Sequence, residues 1–187
     1  MCTQVDPDIE LMLRVKQGDD AAFDELCRRY RRQLTGFFYS LCWNYQTSED
    51  CTQEVFVRVW LARQRYEPAA KFSTYIYRIA RNHRLTVLRA RKCRPEPLYL
   101  DDTLEPETPE GDLGRLLISR YIDRRIRLAV SGLPEHYRLV FVLSHFQDMK
   151  YSEIAEVLEI PIGTVKSRMS VAVRTLREQL TGEMVDG

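Results

Sequence analysis

Residues 71–94, KFSTYIYRIARNHRLTVLRARKCR, hold eight basic side chains (Lys71, Arg78, Arg81, Arg84, Arg89, Arg91, Lys92, Arg94) and no acidic one. Phe72, Tyr75 and Tyr77 stand at the front of this run, and residues 72–93 contain neither Gly nor Pro. Cations bind a phosphate backbone whatever its sequence. Cations beside aromatic rings suit bases that have left the stack, since every base offers a face to a ring. A second set of polar residues lies near the C-terminus. Thr164, Lys166, Ser167, Arg168, Ser170 and Arg174 fall on the outward face of a predicted helix, where they donate to base edges and phosphates. The chemistry is recognition rather than bond-making. No nucleophile is spaced for a partner base, and His83, His136 and His145 have no partner cluster. The sequence therefore gives no catalytic residue, no cofactor and no metal site, and the chain does not read as an enzyme.

Positioning these two sets needs helices. Ile9 to Gln17 is short and amphipathic, and Gly18-Asp19-Asp20 breaks it. Asp19 or Asp20 can cap a long helix starting at Ala21. Phe23, Leu26, Cys27, Tyr30, Leu34, Phe37, Phe38 and Leu41 recur there at spacings of three and four. Arg28, Arg29, Arg31 and Arg32 make its polar, solvated face. Thr47 or Ser48 can cap the next helix, with Glu49 and Asp50 in its first turn, running to about Gln64. Val55, Phe56, Val59 and Trp60 form its apolar face. Asp50, Gln53, Glu54 and Arg58 lie on another face, which fits either a solvated surface or a docking site. Residues 65–71 form a loop broken by Pro68, and Ser73 or Thr74 can cap the basic helix. Ile76, Ile79, Ala80, His83 and Val87 fall on one stripe of it, which makes His83 a core or half-buried residue, while Leu85 and Leu88 blur the stripe.

Net charge is +1, but it is unevenly spread. Residues 1–94 carry 17 basic and 11 acidic side chains, residues 95–114 none and seven, and residues 115–187 eleven and nine. Pro95, Pro97, Pro106 and Pro109 interrupt the acidic stretch, which reads as an extended, self-repelling linker and the domain boundary. Two basic lobes on an acidic tether fit a nucleic-acid binder. The five cysteines (Cys2, Cys27, Cys42, Cys51, Cys93) are odd in number, and none forms a CxxC pair. They read as free thiols of a reducing cytoplasm. No apolar run reaches the roughly 18–20 residues of a membrane span, and no signal peptide is present, so membrane insertion is not expected.

The helical period returns from Leu116 through Ala129. Gly132-Leu133-Pro134 ends that helix and opens the next, with Pro134 in the first turn and Tyr137, Val140, Phe141, Leu143 and Phe146 on its apolar side. Tyr151–Leu158 is a short helix with Ile154, Ala155 and Leu158 inward. A tight break at Glu159-Ile160-Pro161 leads into a last helix from about Ile162 to Leu180, with Val165, Met169, Ala172, Leu176 and Leu180 inward. Short helix, tight turn and long helix with outward polar residues is the helix-turn-helix pattern. The fold class is all-α: two small helical domains joined by an acidic flexible linker. Taken alone, residues 133–180 would also suit a plain helical hairpin or a free-standing regulator that binds duplex DNA as a dimer.

Three segments together narrow this. DCTQEVFVRVW (residues 50–60), FSTYIYRIARN (72–82) and LPEHYRLVFVLSHFQDMKYSEIAEVLEIPIGTVKSRM (133–169) resemble bacterial extracytoplasmic-function (ECF) sigma factors of the sigma-70 family. The likeness covers about residues 8–182, with the motifs in order and the acidic linker between them. The resemblance implies a region-2 helical bundle over 1–94, a linker over 95–114 and a region-4 helix-turn-helix over 115–187. It implies that Asp50, Gln53, Glu54, Phe56 and Arg58 dock on core RNA polymerase. It implies that Lys71, Phe72, Ser73, Tyr75, Arg78, Arg81, Asn82 and Arg89 open the −10 element and hold an unstacked base. It implies that Thr164, Lys166, Ser167, Arg168, Ser170 and Arg174 read the −35 element in the major groove. The partners implied are core polymerase, promoter DNA and an anti-sigma factor, and polymerase performs the chemistry.

The sequence departs from the family pattern at several positions. Tyr75 stands where Trp is usual, Lys150 where a capping Ser is usual, Glu159 at the turn Gly, and Ser170-Val171 at a His-Arg pair. A left-handed backbone at Glu159 would cost about 1–2 kcal/mol relative to Gly. Loss of the His-Arg pair removes a phosphate-contacting cation. The acidic linker itself cannot bind DNA. It is expected to occupy a basic polymerase channel or to shield the lobes from DNA.

Overall fold

The computed structural model describes residues 6–93 and 125–182, and these are helical with no strand among them. The linker at 95–114 and the helical period expected from Leu116 to residue 124 lie outside the described residues. Among the described residues, no helix is long and apolar enough to cross a membrane.

The N-terminal lobe is four helices. α1 (Pro7–Lys16) has Pro at its first turn and Asp6 as N-cap, whose carboxylate accepts from the Asp8 amide at 3.1 Å. α2 (Asp20–Cys42) starts under Asp19, which accepts from the Ala22 amide at 3.0 Å. The expected apolar ladder holds for Leu26, Tyr30, Leu34, Phe37, Phe38 and Leu41, which are buried, while Phe23 and Cys27 are half-buried. α2 ends at Trp43, a non-glycine residue with φ 52° in the left-handed region. That conformation carries a cost. It is offset by burial of the indole against Tyr39, at 5.5 Å between rings.

α3 (Tyr45–Ala62) begins earlier than the sequence suggested. Asn44, not Thr47 or Ser48, is the cap: its side chain accepts from the Thr47 amide at 2.7 Å. Ser48 instead turns its hydroxyl back to the Asn44 carbonyl at 2.6 Å and is buried, so Glu49 and Asp50 stand beyond the first turn. α3 ends in a 3-10 turn, Arg63–Arg65, where the Arg63 guanidinium lies 4.1 Å over Trp60.

α4 (Phe72–Cys93) is the basic helix. Its start also differs from expectation, because Ser73 and Thr74 lie inside the first turn. The donor left at Phe72 goes to the Asp6 carboxylate at 3.3 Å, so one aspartate caps both α1 and α4. Phe72, Ile76, Tyr77, Ala80 and His83 are buried, which settles the inward face of α4 and puts His83 in the core, 6.0 Å from the Phe38 ring. Burial holds the His83 pKa below the ordinary histidine value, and nearby Arg58 pushes the same way.

The C-terminal lobe has α5 (helical over 125–132), α6 (Glu135–His145), α7 (Tyr151–Leu158) and α8 (Ile162–Gly182). Pro134 occupies the cap position of α6 rather than its first turn. Leu139, Val140, Val142 and Leu143 are its buried face; Tyr137 and Phe141 are half-buried, and Phe146 is exposed. α7, the turn and the start of α8 fall where the sequence placed them. Val165, Ala172 and Leu176 are buried, with Met169 and Leu180 packed at the edge. Lys150 caps α7 without a side-chain bond; Glu153 does the capping instead, accepting from the Lys150 amide at 2.9 Å. Glu159 does take the left-handed conformation, φ 55° and ψ 45°, and the Ile160 amide closes the turn on the Ala155 carbonyl at 3.1 Å.

Candidate nucleic-acid interface

The polar set of α8 is open. Lys166, Ser167, Ser170 and Arg174 are exposed; Thr164 and Arg168 are half-buried beside them. Val165, Ala172 and Leu176 anchor the opposite side, so these residues share one outward face of a helix held at its base by α6 and α7. The Ser167 hydroxyl donates to the Thr164 carbonyl at 3.1 Å, a bond that a base edge could replace.

The α4 set is arranged differently. Tyr75 is half-buried, its ring 4.9 Å from Tyr66 and 5.9 Å from Phe72. Phe72 does not meet the expectation of a ring presented to DNA: it is fully buried against Tyr30 and Tyr66. Its ring supports Tyr75 rather than offering a face of its own. Ser73 is half-buried, and Asn82 and Arg89 are exposed.

Lys71 and the first three cations of α4, Arg78, Arg81 and Arg84, are engaged by the other lobe, while Arg89 stays exposed. Lys71 Nζ meets Glu153 at 2.7 Å, Arg81 meets Glu159 at 3.1 Å, and Arg78 donates to the Glu156 carbonyl at 3.2 Å. Arg78 Nε also lies 3.7 Å from Glu159. Arg84, counted among the basic run, is buried: it meets Glu135 at 3.0 Å and the Leu41 carbonyl at 3.3 Å. Arg138 joins this seam, donating to the Ser131 and Leu133 carbonyls and lying 3.6 Å from Glu135. Tyr77 donates to Gln147, and burial pushes its hydroxyl pKa well up. The hydrogen bond from Lys71 holds the Glu153 carboxyl below the ordinary glutamate range, and the same bond raises Lys71. Sequence reading missed these pairs. The one signal available was an acid, Glu159, at a turn position that favours Gly.

On α3, Asp50 and Gln53 are exposed, and Glu54 and Arg58 are half-buried and paired at 2.8 Å. Phe56 is half-buried, its ring edge-on to Phe23 at 6.5 Å. Beside them Val57 and Leu61 are 50% and 72% exposed, large apolar residues that the apolar-face reading did not single out. A separate groove of about 550 Å³ is built from α5, α6 and α8, lined among others by Ile126, Val130, Phe141, Phe146 and Leu176, and Trp43 is the N-terminal lobe's contribution to it. The Arg127 guanidinium stands 5.5 Å over the Trp43 ring in its wall. Among the described residues, no group of three or more His, Cys, Asp or Glu could hold a metal ion.

Comparison with known proteins agrees with this architecture. The family model for Sigma-70 region 2 matches residues 26–93, and that for Sigma-70, region 4 matches residues 123–176. The chain is 32% identical to the ECF RNA polymerase sigma factor SigW of Bacillus subtilis, across 92% of this chain and 98% of that one. It is 33% identical to the RNA polymerase sigma-H factor of Pseudomonas aeruginosa, across 90% and 91%. Among solved structures, CnrH in complex with the cytosolic domain of CnrY superposes with a TM-score of 0.70 at 22% identity, covering 94% of this chain and 97% of that one. RpoE in complex with the anti-sigma factor NepR from Bartonella quintana gives 0.67 at 21% identity, covering 84% and 96%. At those identities the structures speak for the fold.

Proposed function

Since the chain belongs to the ECF RNA polymerase sigma factors of the sigma-70 family, and so is a transcription initiation factor rather than an enzyme, we propose the following division of work. α3 docks on core RNA polymerase through Asp50, Gln53, Glu54, Phe56 and Arg58, with Val57 and Leu61 adding the apolar part of that contact. The α4 face captures the melted −10 element: Tyr75 stacks on an unpaired base, Asn82 reads it, and Lys71, Ser73, Arg78, Arg81 and Arg89 hold the backbone, with Phe72 fixing Tyr75 from below. α8 enters the major groove of the −35 element with Thr164, Lys166, Ser167, Arg168, Ser170 and Arg174.

The observation that carries this reading is the pair of faces on the N-terminal lobe. An exposed apolar-polar strip on α3 is what a protein partner needs: large apolar side chains left in water mark an interaction site. An aromatic-cationic face on the adjoining α4 is what a single strand needs. A free-standing duplex-binding regulator would need neither. Unstacking a base costs a few kcal/mol per step, so a ring and backbone cations must repay it. Control by an anti-sigma factor is part of the proposal, supported by relatives whose folds are seen bound to one.

Run-off transcription with core enzyme over a genomic promoter library tests all of this at once. Initiation at promoters sharing a −35 and a −10 sequence is the expected result. Failure to bind core, with tight duplex binding alone, would overturn it.

A further inference from the structure

The residues of α8 proposed to meet DNA are all polar, yet the first turn of that helix is not. Pro161, Ile162 and Gly163 are exposed, and Ile162 keeps 46% of its surface open to water. Val165, Ala172 and Leu176 anchor the helix, so Ile162 is no part of that anchor. On a helix, residues four apart are neighbours on one face. Ile162 therefore stands one turn before Lys166, and Gly163 one turn before Ser167. Both extend the exposed rows that run on to Ser170 and Arg174.

Nothing among the described residues asks for glycine at position 163. Its backbone is not in the left-handed region, which Gly18 alone takes among the described glycines. A methyl group on its α-carbon would meet no neighbouring atom within 4 Å. Relative to Ala, Gly weakens a helical turn because its backbone has more freedom to lose. The start of α8 does not depend on it either, since the Pro161 carbonyl accepts from the Thr164 and Val165 amides at 2.8 and 3.2 Å. A glycine that neither turn nor packing requires points to an approach from outside. Close approach of backbone to a ligand is one of the uses of Gly.

Ile162 has the chemistry to match. The apolar group on a base edge in the major groove is the 5-methyl of thymine, and apolar side chains contact it. A recognition helix touches base edges with its N-terminal residues. Lys166 and Arg168 cannot supply this selection. They donate to any acceptor, and guanine O6 and thymine O4 are both acceptors; the methyl sets thymine apart.

We propose that the first turn of α8 reads a thymine of the −35 element, with Ile162 packed on its 5-methyl group and Gly163 giving the helix end the clearance to reach it. This rests on the assignment of α8 to the −35 duplex. It adds an apolar reader to the polar set, so that a T·A pair is selected without a hydrogen bond to it.

The test removes one methyl group at a time. The full chain with core polymerase is bound to a promoter duplex found by run-off transcription, and affinities are read by competition. Each thymine of the −35 element, on either strand, is replaced in turn by deoxyuridine, which keeps every hydrogen-bonding group and lacks only the 5-methyl. One position is expected to lose affinity about fourfold, the effect of roughly one buried methyl group. In Ile162→Ala the same replacement is expected to change nothing. Gly163→Ala is expected to hold or raise the unfolding midpoint, because Ala favours the helix. The same variant is expected to weaken −35 binding about fivefold or more at every sequence, as overpacking of a close contact does. Absence of a methyl-sensitive position, or a methyl effect that survives in Ile162→Ala, would overturn the thymine contact. Unchanged binding by Gly163→Ala would overturn the close approach. Arg168→Ala tells the two levels apart. If −35 discrimination also survives that change, α8 itself is misassigned and the inference falls with it. If discrimination drops while Ile162→Ala is inert, the first-turn contact alone fails.

Discussion

α4 and α8 are both basic, both long and both amphipathic, yet they treat their cations in opposite ways. α8 keeps Lys166 and Arg174 exposed, ready for a duplex whose groove exists before binding. At α4, Lys71 just before the helix and Arg78, Arg81 and Arg84 in its first half engage carboxylates or carbonyls of the same chain, and only beyond them is Arg89 exposed. On the proposed assignments, the difference follows from the ligand. Duplex is always present, whereas a melted strand exists only after polymerase has acted. A reader of duplex can stand open, and a reader of melted strand is better kept covered until then.

The comparison can be broken most sharply at Arg84. Removing it leaves Glu135 and the Leu41 carbonyl to Arg138 alone, at 3.6 and 3.5 Å, so Arg84→Ala should cost about 2 kcal/mol in a urea unfolding experiment. Arg174→Ala on the open face of α8 should shift the same midpoint by less than about 0.5 kcal/mol. Equal effects would erase the distinction between the two helices. At the next level, Tyr75→Ala should remove base stacking of about 1–3 kcal/mol. Permanganate reactivity of unpaired thymines should then drop roughly tenfold while closed-complex footprints persist, and Asn82→Ala should act in the same direction. Loss of both signals together would contradict the role given to α4. Arg168→Ala should reduce discrimination among −35 variants by on the order of 1 kcal/mol, read by competition binding, without changing opening at a strong −35 site.

The smallest expected effect concerns pH. Glu153 has a lowered pKa because Lys71 bonds it, so its contribution is present above the ordinary glutamate value of 4.5 and is lost as pH falls through the lowered folded value. Lys71 is raised by the same bond, so its contribution is present below 10.5 and is lost only as pH rises through the raised value. Lys150 adds to the lowering of Glu153, and Asp6 and Glu156 add to the raising of Lys71, so no neighbour reverses either direction. Chain size should therefore stay flat between about pH 6 and 9, and Glu153→Gln should remove the acid-side opening. A transition near neutrality would mean that another group governs the contact.

The sequence carried the elements well where the signal was local. The bounds of α7 and the start of α8 follow from the inward Ile154, Leu158 and Val165 spacing and from Pro161, which stops one helix and starts the next. The α2 ladder was equally readable, and the cap was narrowed to Asp19 or Asp20, because cap and capped amide are three residues apart; the structure selects Asp19. The start of α4 was not readable. Its capping carboxylate belongs to Asp6, 66 positions away, and no window of neighbouring residues contains it. The start of α3 failed for a subtler reason: Asn44, Thr47 and Ser48 are all competent caps, and packing of Ser48 decided among them. The site was half legible. Residue types marked both sets proposed to meet DNA, but an acid such as Glu153 looks the same whether it faces water or Lys71. Only the docking of one lobe on the other distinguishes these cases.

That docking has a spectroscopic consequence. The chain has two tryptophans. Trp43, at the left-handed end of α2, is 8% exposed with Arg127 over its ring, and it reaches the groove of the C-terminal lobe. Trp60 sits on the far side of the bundle among Phe23 and Arg63. Parting the lobes would put water on the first indole and leave the second as it is. In a Trp60→Phe background, intrinsic emission becomes a label-free gauge of how open the molecule is, readable while DNA or an inhibitor free of tryptophan is titrated in.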